Sequence, residues 1–283
     1  MLNKKPSDII VVQKASGEEE LFSRRKLEQS LQNAGAKPAT IEKIATDIDK
    51  WIYNGVTTKK IYRRAFSLLR KERASLSGRY KIKHAMMELG PSGYPFEHYV
   101  GKLFEKQGYS TEVGVVVEGA CVMHEMDVIA TQNHSQQLVE CKYSKDQGKQ
   151  VSVQVPLYVR ARVDDIILKR QQQEKYKDFS FTGWVVTNTR LSKDSQDYGR
   201  CSGLKLMAWD YPDGNGLKEL IDRLKVYPIT VLHHLTKIQK QRLLDQDIVT
   251  CTQLLDEPAL TEQLGLSQRK QNLLMKELKE LGA

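Results

Sequence analysis

Two apolar runs with alternating polar positions dominate the middle of the chain. Residues 125–131 (EMDVIAT) and 136–143 (QQLVECKY) each read as a strand, with a polar turn, Asn133-His134-Ser135, between them. Thr111–Val117 alternates in the same way, and Phe181–Thr187 and Leu204–Trp209 are further apolar strands. Helical spacing fills the gaps. Phe96, Val100, Leu103 and Phe104 form one stripe, with Pro95 in a first turn and Gly108 as the stop. A long helix follows Ser152 to about Gln171, and Ser192 caps a shorter one. The order over residues 90–225 is α-β-β-β-α-β-α-β. Residues 1–89 differ. Ile9–Val12 and Glu20–Phe22 read as a small hairpin around Ser16-Gly17, followed by four helices. Their stripes are Leu27/Leu31, Ile41/Ile44/Ile48 with Trp51/Ile52, Ile61/Ala65/Leu68/Leu69 and a last run from Leu76 to Leu89. Residues 226–283 read as short helices only, with Thr236, Thr250 and Ser267 as caps and Pro258 starting another. The expected class is therefore multidomain, α+β then α/β, with a small all-helical C-terminal domain.

Composition narrows this. The 283 residues are 40% hydrophobic and 28% charged, a globular balance. No apolar run approaches the ~18 residues of a membrane span, so no membrane partner is expected. The start, MLNKKPSDIIVV, lacks a signal-peptide core. Cys121, Cys141, Cys201 and Cys251 form no CxxC, which argues against a zinc knuckle and a disulfide scaffold and fits a reducing cytoplasm. Residues 1–90 hold 19 Lys and Arg against 10 Asp and Glu, the whole of the net charge of +9. That charge suits polyphosphate or nucleic acid, or equally a solvated helix face.

The chemistry lies on the central strand pair. Glu140 and Lys142 share a strand face, and Asp127 reaches the same place from the neighbouring strand. Two carboxylates suit Mg²⁺ and a lysine offsets charge on a phosphorane. D-x12-E-x-K resembles the signature of the PD-(D/E)XK nucleases, and residues 90–210 resemble the Mrr-type (type IV) restriction branch. The resemblance implies an Mg²⁺-dependent endodeoxyribonuclease leaving a 5′-phosphate. Asp127 and Glu140 would bind metal, Lys142 would position water, and the helical Glu97 would assist. His124-Glu125 is no HExxH, because position 128 is Val128. No P-loop sequence occurs.

The first 89 residues resemble the ATP-cone domain of ribonucleotide reductases. The match is VVQKASGEEELFSRRKL, residues 11–27, with Thr58 at the start of the third helix. By that resemblance Lys14 and Lys26 would meet phosphates, and Glu20 and Thr58 would help hold ATP or dATP. The family's Arg after the lysine is Ala15 here, which leaves two readings, a working site or a cone kept as scaffold. Lys59-Lys60 and Arg63-Arg64 could add phosphate contacts or form the exposed face of the third helix.

DNA contacts are expected from Gln154, Arg160, Arg162 and Lys270. Gln154 and Tyr158 lie four apart, as a QxxxY pair does in some nuclease relatives, although Tyr158 could equally be core. Arg160, Arg162, Lys169 and Arg170 form a basic side. Leu264-Gly265-Leu266-Ser267 before Arg269-Lys270 resembles a helix-hairpin-helix turn, or belongs to an interaction bundle. The expected function is a Mrr-like DNA endonuclease regulated by ATP or dATP. The alternatives are a non-catalytic nucleotide-responsive DNA-binding or regulatory protein and a branched-DNA repair nuclease. Homo-oligomerisation stays open.

Overall fold

The computed structural model describes residues 10–14, 17–72, 74–146 and 148–282. Ile9, Ala15 and Ser16, all used above, lie outside the described residues. The chain divides into two compact units, residues 1–81 and 82–283.

The first unit is a three-stranded sheet against helices. Its elements are β1 (Val11–Gln13), β2 (Glu19–Leu21), α1 (Arg24–Asn33), α2 (Pro38–Trp51), β3 (Val56–Thr57), α3 (Thr58–Glu72) and α4 (Ala74–Tyr80). The expected hairpin is joined by β3, which runs parallel to β1. The Asn54-Gly55 stop makes this possible. Asn54 Oδ1 accepts from Val11 N at 2.8 Å, and Gly55 N donates to Val11 O at 2.8 Å. Ser23 caps α1 by accepting from Lys26 N. Val12, Leu31, Ile44, Ile48, Val56 and Leu69 form the core.

The second unit opens with α5 (Ile82–Met87) and α6 (Tyr94–Glu105), then β4 (Ser110–Glu118), β5 (Met123–Gln132), β6 (Ser135–Lys142), β7 (Gln150–Val151) and α7 (Gln154–Gln171). It continues through β8 (Ser180–Thr187), β9 (Arg190–Leu191), α8 (Lys193–Ser202), β10 (Lys205–Met207) and α9 (Leu217–Leu224). The last helices are α10 (Lys237–Leu244), α11 (Cys251–Asp256), α12 (Ala259–Glu262) and α13 (Gln268–Gly282). Five strands form a mixed sheet in the order β10-β8-β6-β5-β4, antiparallel across β4, β5 and β6 and parallel onward. Asn133 and His134 both have positive φ, the two-residue turn that suits a right-twisted hairpin. α6 and α9 cover one face, over Val128, Ala130, Val139 and Val186. α7 and α8 cover the other, over Ile129, Leu138, Val185 and Leu206.

Two expected boundaries, after residues 89 and 225, fall within the second unit. The expected fourth helix is two, α4 and α5, and α5 belongs with the second unit. Ile82, Met86 and Leu89 share the core of Phe96 and Tyr99 because they are apolar on the side that faces α6. Residues 226–283 pack into the second unit. Leu232, Leu244, Leu274 and Leu278 join that same core, and Tyr99 Oη donates to Val226 O at 2.5 Å.

Candidate active site

Strict alternation breaks at one point in the sheet, and the site forms there. On β4, Val113 packs toward α6, whereas Val115 and Val117 pack toward α7. On β5, Val128 faces α6 and Met126 faces α7. Gly114 and Asp127 lie between these pairs, at a gap in the ladder register, and Gly114 has φ +64°. That conformation costs glycine little and any other residue more. The β5–β6 ladder also ends here, at Val128–Val139. Asp127 Oδ2 instead accepts from Cys141 N at 2.6 Å, so its carboxylate stands in the opening between the strands.

Glu140 and Lys142 project toward α7. Lys142 Nζ lies 2.7 Å from Glu140 Oε1, which also accepts from the Tyr158 hydroxyl at 2.9 Å. Arg162 Nη1 donates to Glu140 Oε2 at 2.5 Å and to Glu125 O at 3.1 Å. Tyr158 lies between the two cations, its ring 5.5 Å from Lys142 Nζ and 5.4 Å from the Arg162 guanidinium carbon. Glu97 sits in the first turn of α6. Burial, then the charges of Asp127, Glu125 and Glu140, push its carboxyl up to about 7. Burial and then Glu140 push Asp127 up to about 6, against the Cys141 N–H, Lys142 and Arg162. Burial works to discharge Lys142, but its hydrogen bonds to Glu140 and Tyr158 overcome this and raise its pKa. Glu140 and Tyr158 thus hold Lys142 in its charged form. Glu97, Asp127 and Glu140 are hard oxygen donors with partly unrelieved mutual repulsion, a set a divalent cation fits. Among the described residues, no three His, Cys, Asp or Glu side chains form a ready-made metal cluster.

The other expected residues scatter. Gln154 is exposed at the start of α7. Arg160 pairs with Asp164 and reaches Ser202 O, whereas Arg162 turns inward, because positions two apart point to different helix faces. The basic side is thus corrected. Arg170 is buried and donates to Gln136, so it cannot track a phosphate backbone. Lys270 is exposed on α13, after the Gly265 turn at φ +62°, and α12 before it is one turn long. In the first unit, Glu20, Lys26 and Thr58 line a groove of about 170 Å³ with Phe22, Tyr62 and Tyr80. Glu20 holds Lys14 and Lys26, each at 3.2 Å. Arg64 is taken by Asp47 and stacks on Trp51.

Sequence reasoning missed the inward role of Arg162, the Tyr158–Glu140 bond and Glu125. The signals were present: Tyr158 and Arg162 are four apart, and Glu125 lies two before Asp127. His124 is also more than a strand start. It bonds Asp165 at 2.7 Å, and this bond, ahead of those from Cys121 and Val122, holds Asp165 down at about 2.

A mixed sheet with a carboxylate–lysine constellation at a splayed strand pair is the arrangement of a restriction-endonuclease-like domain, and residues 90–221 match the restriction endonuclease family. Residues 227–282 match the family described as AF1548-like, C-terminal. The chain belongs to the AF1548-like family. It is 31% identical over 185 residues to an uncharacterized protein of Archaeoglobus fulgidus, covering 64% of this chain and 99% of the relative. A solved structure described as a protein of unknown function, AF1548, is similar at 30% identity and a TM-score of 0.54, over 68% of this chain and 98% of that one. MspJI restriction endonuclease, solved in complex with a 27-mer oligonucleotide, is similar at 14% identity and a TM-score of 0.36, over 61% of this chain and 36% of that one.

Proposed function

We propose that the protein is a Mg²⁺-dependent DNA endonuclease of Mrr type. The observation that carries this is the meeting of Asp127, Glu140 and Lys142 where β5 and β6 part. Asp127 and Glu140 would hold Mg²⁺, which supplies Lewis-acid polarisation of the scissile phosphate. Lys142, held charged by Glu140 and Tyr158, would offset the negative charge that grows on the phosphorane and orient the attacking water. Glu97 faces the same carboxylates and assists. An open cleft of about 700 Å³ lies past the end of β6, lined by Pro91, Tyr143, Ser144, Lys145, Asp146 and Lys149, and in this reading its two lysines would meet the phosphate backbone beside the Asp146 carboxylate. Asn188, buried at the end of β8, holds that loop through two bonds to Ser144. Gln154, Arg160 and Lys270 extend the DNA contacts in this reading.

The test is nicking of supercoiled plasmid with and without Mg²⁺. Wild-type protein nicks only with the ion, and Asp127→Asn and Lys142→Ala each lower the rate ~10²–10³-fold, as loss of one such group does. Wild-type rates in both variants would end the assignment.

The N-terminal groove extends the reading to an ATP or dATP effector held by Lys14, Glu20, Lys26 and Thr58. Its 170 Å³ is below the ~300–1,000 Å³ of ordinary ligand pockets, so nucleotide entry requires opening. A phosphate would take Lys14 and Lys26 from Glu20. Calorimetric titration with ATP and dATP should show binding that Lys14→Ala/Lys26→Ala abolishes. No heat at millimolar nucleotide would leave the first unit a scaffold.

A further inference from the structure

Glu140 is the most deeply buried carboxylate of the site, its side chain 4% exposed, and this chain's own donors take both its oxygens. A buried carboxylate without partners is strongly destabilising, so some cation must satisfy it. The three donors differ in what they leave open. Lys142 and Tyr158 share Oε1. Arg162 alone holds Oε2, and the same Nη1 donates to Glu125 O, a β5 carbonyl. Oε2 therefore faces β5, the strand that carries Asp127. A cation that comes to Glu140 from the β5 side meets the oxygen that Arg162 holds, and two cations on one carboxylate oxygen repel each other.

We propose that Arg162 is a built-in cation that satisfies Glu140 when no metal is bound, competes with the divalent ion for Oε2, and leaves Glu140 when the ion enters. This rests on the nuclease reading above. Arg162 is suited to the part. It comes from a helix rather than from the sheet, its side chain is 27% exposed, and the Tyr158 ring lies beside its guanidinium. Lys142 sits two residues from Glu140 on the same strand and stays with it. Arg162 thus sets metal affinity, a role distinct from gripping DNA.

The test is calorimetric titration of the intact protein with Mg²⁺ and Mn²⁺, without DNA, for wild type, Arg162→Gln and Arg162→Lys. Arg162→Gln should bind the ion roughly tenfold or more tightly, the factor one hydrogen bond to a charged group is worth. The ion should also raise its melting temperature more than it raises that of wild type. Arg162→Lys, which keeps the charge but loses the fork and some reach, should fall between the two, and it carries the test if Arg162→Gln does not fold. Glu140→Gln in either background should abolish binding. Equal or weaker affinity in the Arg162 variants, with wild type still binding the ion and nicking DNA, would overturn this inference alone. No binding in any protein and no nicking would overturn the nuclease reading with it.

Discussion

Glu97 is an ordinary glutamate in sequence, and its neighbours make it unusual. The burial that favours its neutral form also brings it close to Asp127, Glu125 and Glu140, so in the metal-free protein its carboxyl titrates near 7 instead of 4.5. A carboxyl whose pKa is higher folded than unfolded binds more protons in the native state. Stability contributed by its protonated form is full below about 4.5 and is lost as pH rises toward about 7. Replacing Glu97 by Gln removes that loss. In metal-free buffer the melting temperature of Glu97→Gln relative to wild type should therefore climb between pH 4.5 and 7 and then level off. A difference that stayed flat across this window would mean that Glu97 does not feel the other carboxylates. Lys142 should give no such signature below pH 9, because its partners keep it charged.

At the scale of elements, the site depends on a change of face within two paired strands, and Gly114 is the residue that permits it. An added Cβ would meet nothing nearer than Tyr94 Cε2 at 4.0 Å, so the cost of Gly114→Ala is backbone strain and not collision. That strain is ~1–2 kcal/mol. Gly203, at φ +75° with open space around it, ends α8 in the same conformation and serves as the control. Both variants should lose comparable stability in denaturant melts. Gly114→Ala should also lose cleavage activity, because relaxing the strand moves Asp127, whereas Gly203→Ala should cleave as wild type does. Equal activity in both would detach Asp127 from the strand break. The same pair of strands shows what the sequence made legible. Alternation located β4, β5 and β6, the turn at Asn133-His134 joined two of them, and Ser192, Thr236 and Thr250 do cap their helices. Asp127, Glu140 and Lys142 do converge on one place. The face change was not readable, because Val113, Val115 and Val117 around a lone glycine look like one uninterrupted strand face. β3 was too short, at two residues, to show a period. Arg162 and Arg170 were read as surface cations because a helical arginine looks the same in sequence whether it meets solvent, a buried carboxylate or a glutamine.

At the scale of the whole chain, the question is where one folding unit ends. The contact division at Lys81 leaves the charge asymmetry intact, since the Lys83 and Glu88 it transfers offset each other. It changes the packing account. Ile82, Met86 and Leu89 are each 4% exposed or less, in the core that also holds Phe96, Tyr99 and the C-terminal helices. Two hydrogen bonds reinforce α5 there, Tyr143 Oη to Met87 O at 2.6 Å and Thr230 Oγ1 to Ala85 O at 2.8 Å. A fully buried side chain of this size contributes ~1.5–3 kcal/mol. Losing three therefore removes ~5–9 kcal/mol as an upper figure, against the ~5–15 kcal/mol that holds a typical domain together. A fragment of residues 82–283 should accordingly unfold in one cooperative transition. A fragment of residues 90–283, cut where the sequence pattern of the first 89 residues ends, should be largely unfolded at room temperature. Residues 90–225 should fare worse, because Tyr99 would lose the Val226 carbonyl and the apolar face of α6 would lose Leu232, Leu244 and Leu278. Circular dichroism melts of the three fragments measure this directly. A stable 90–225 fragment would show that residues 226–283 form a domain of their own, and a 90–283 fragment as stable as 82–283 would show that α5 adds nothing to the core of the second unit.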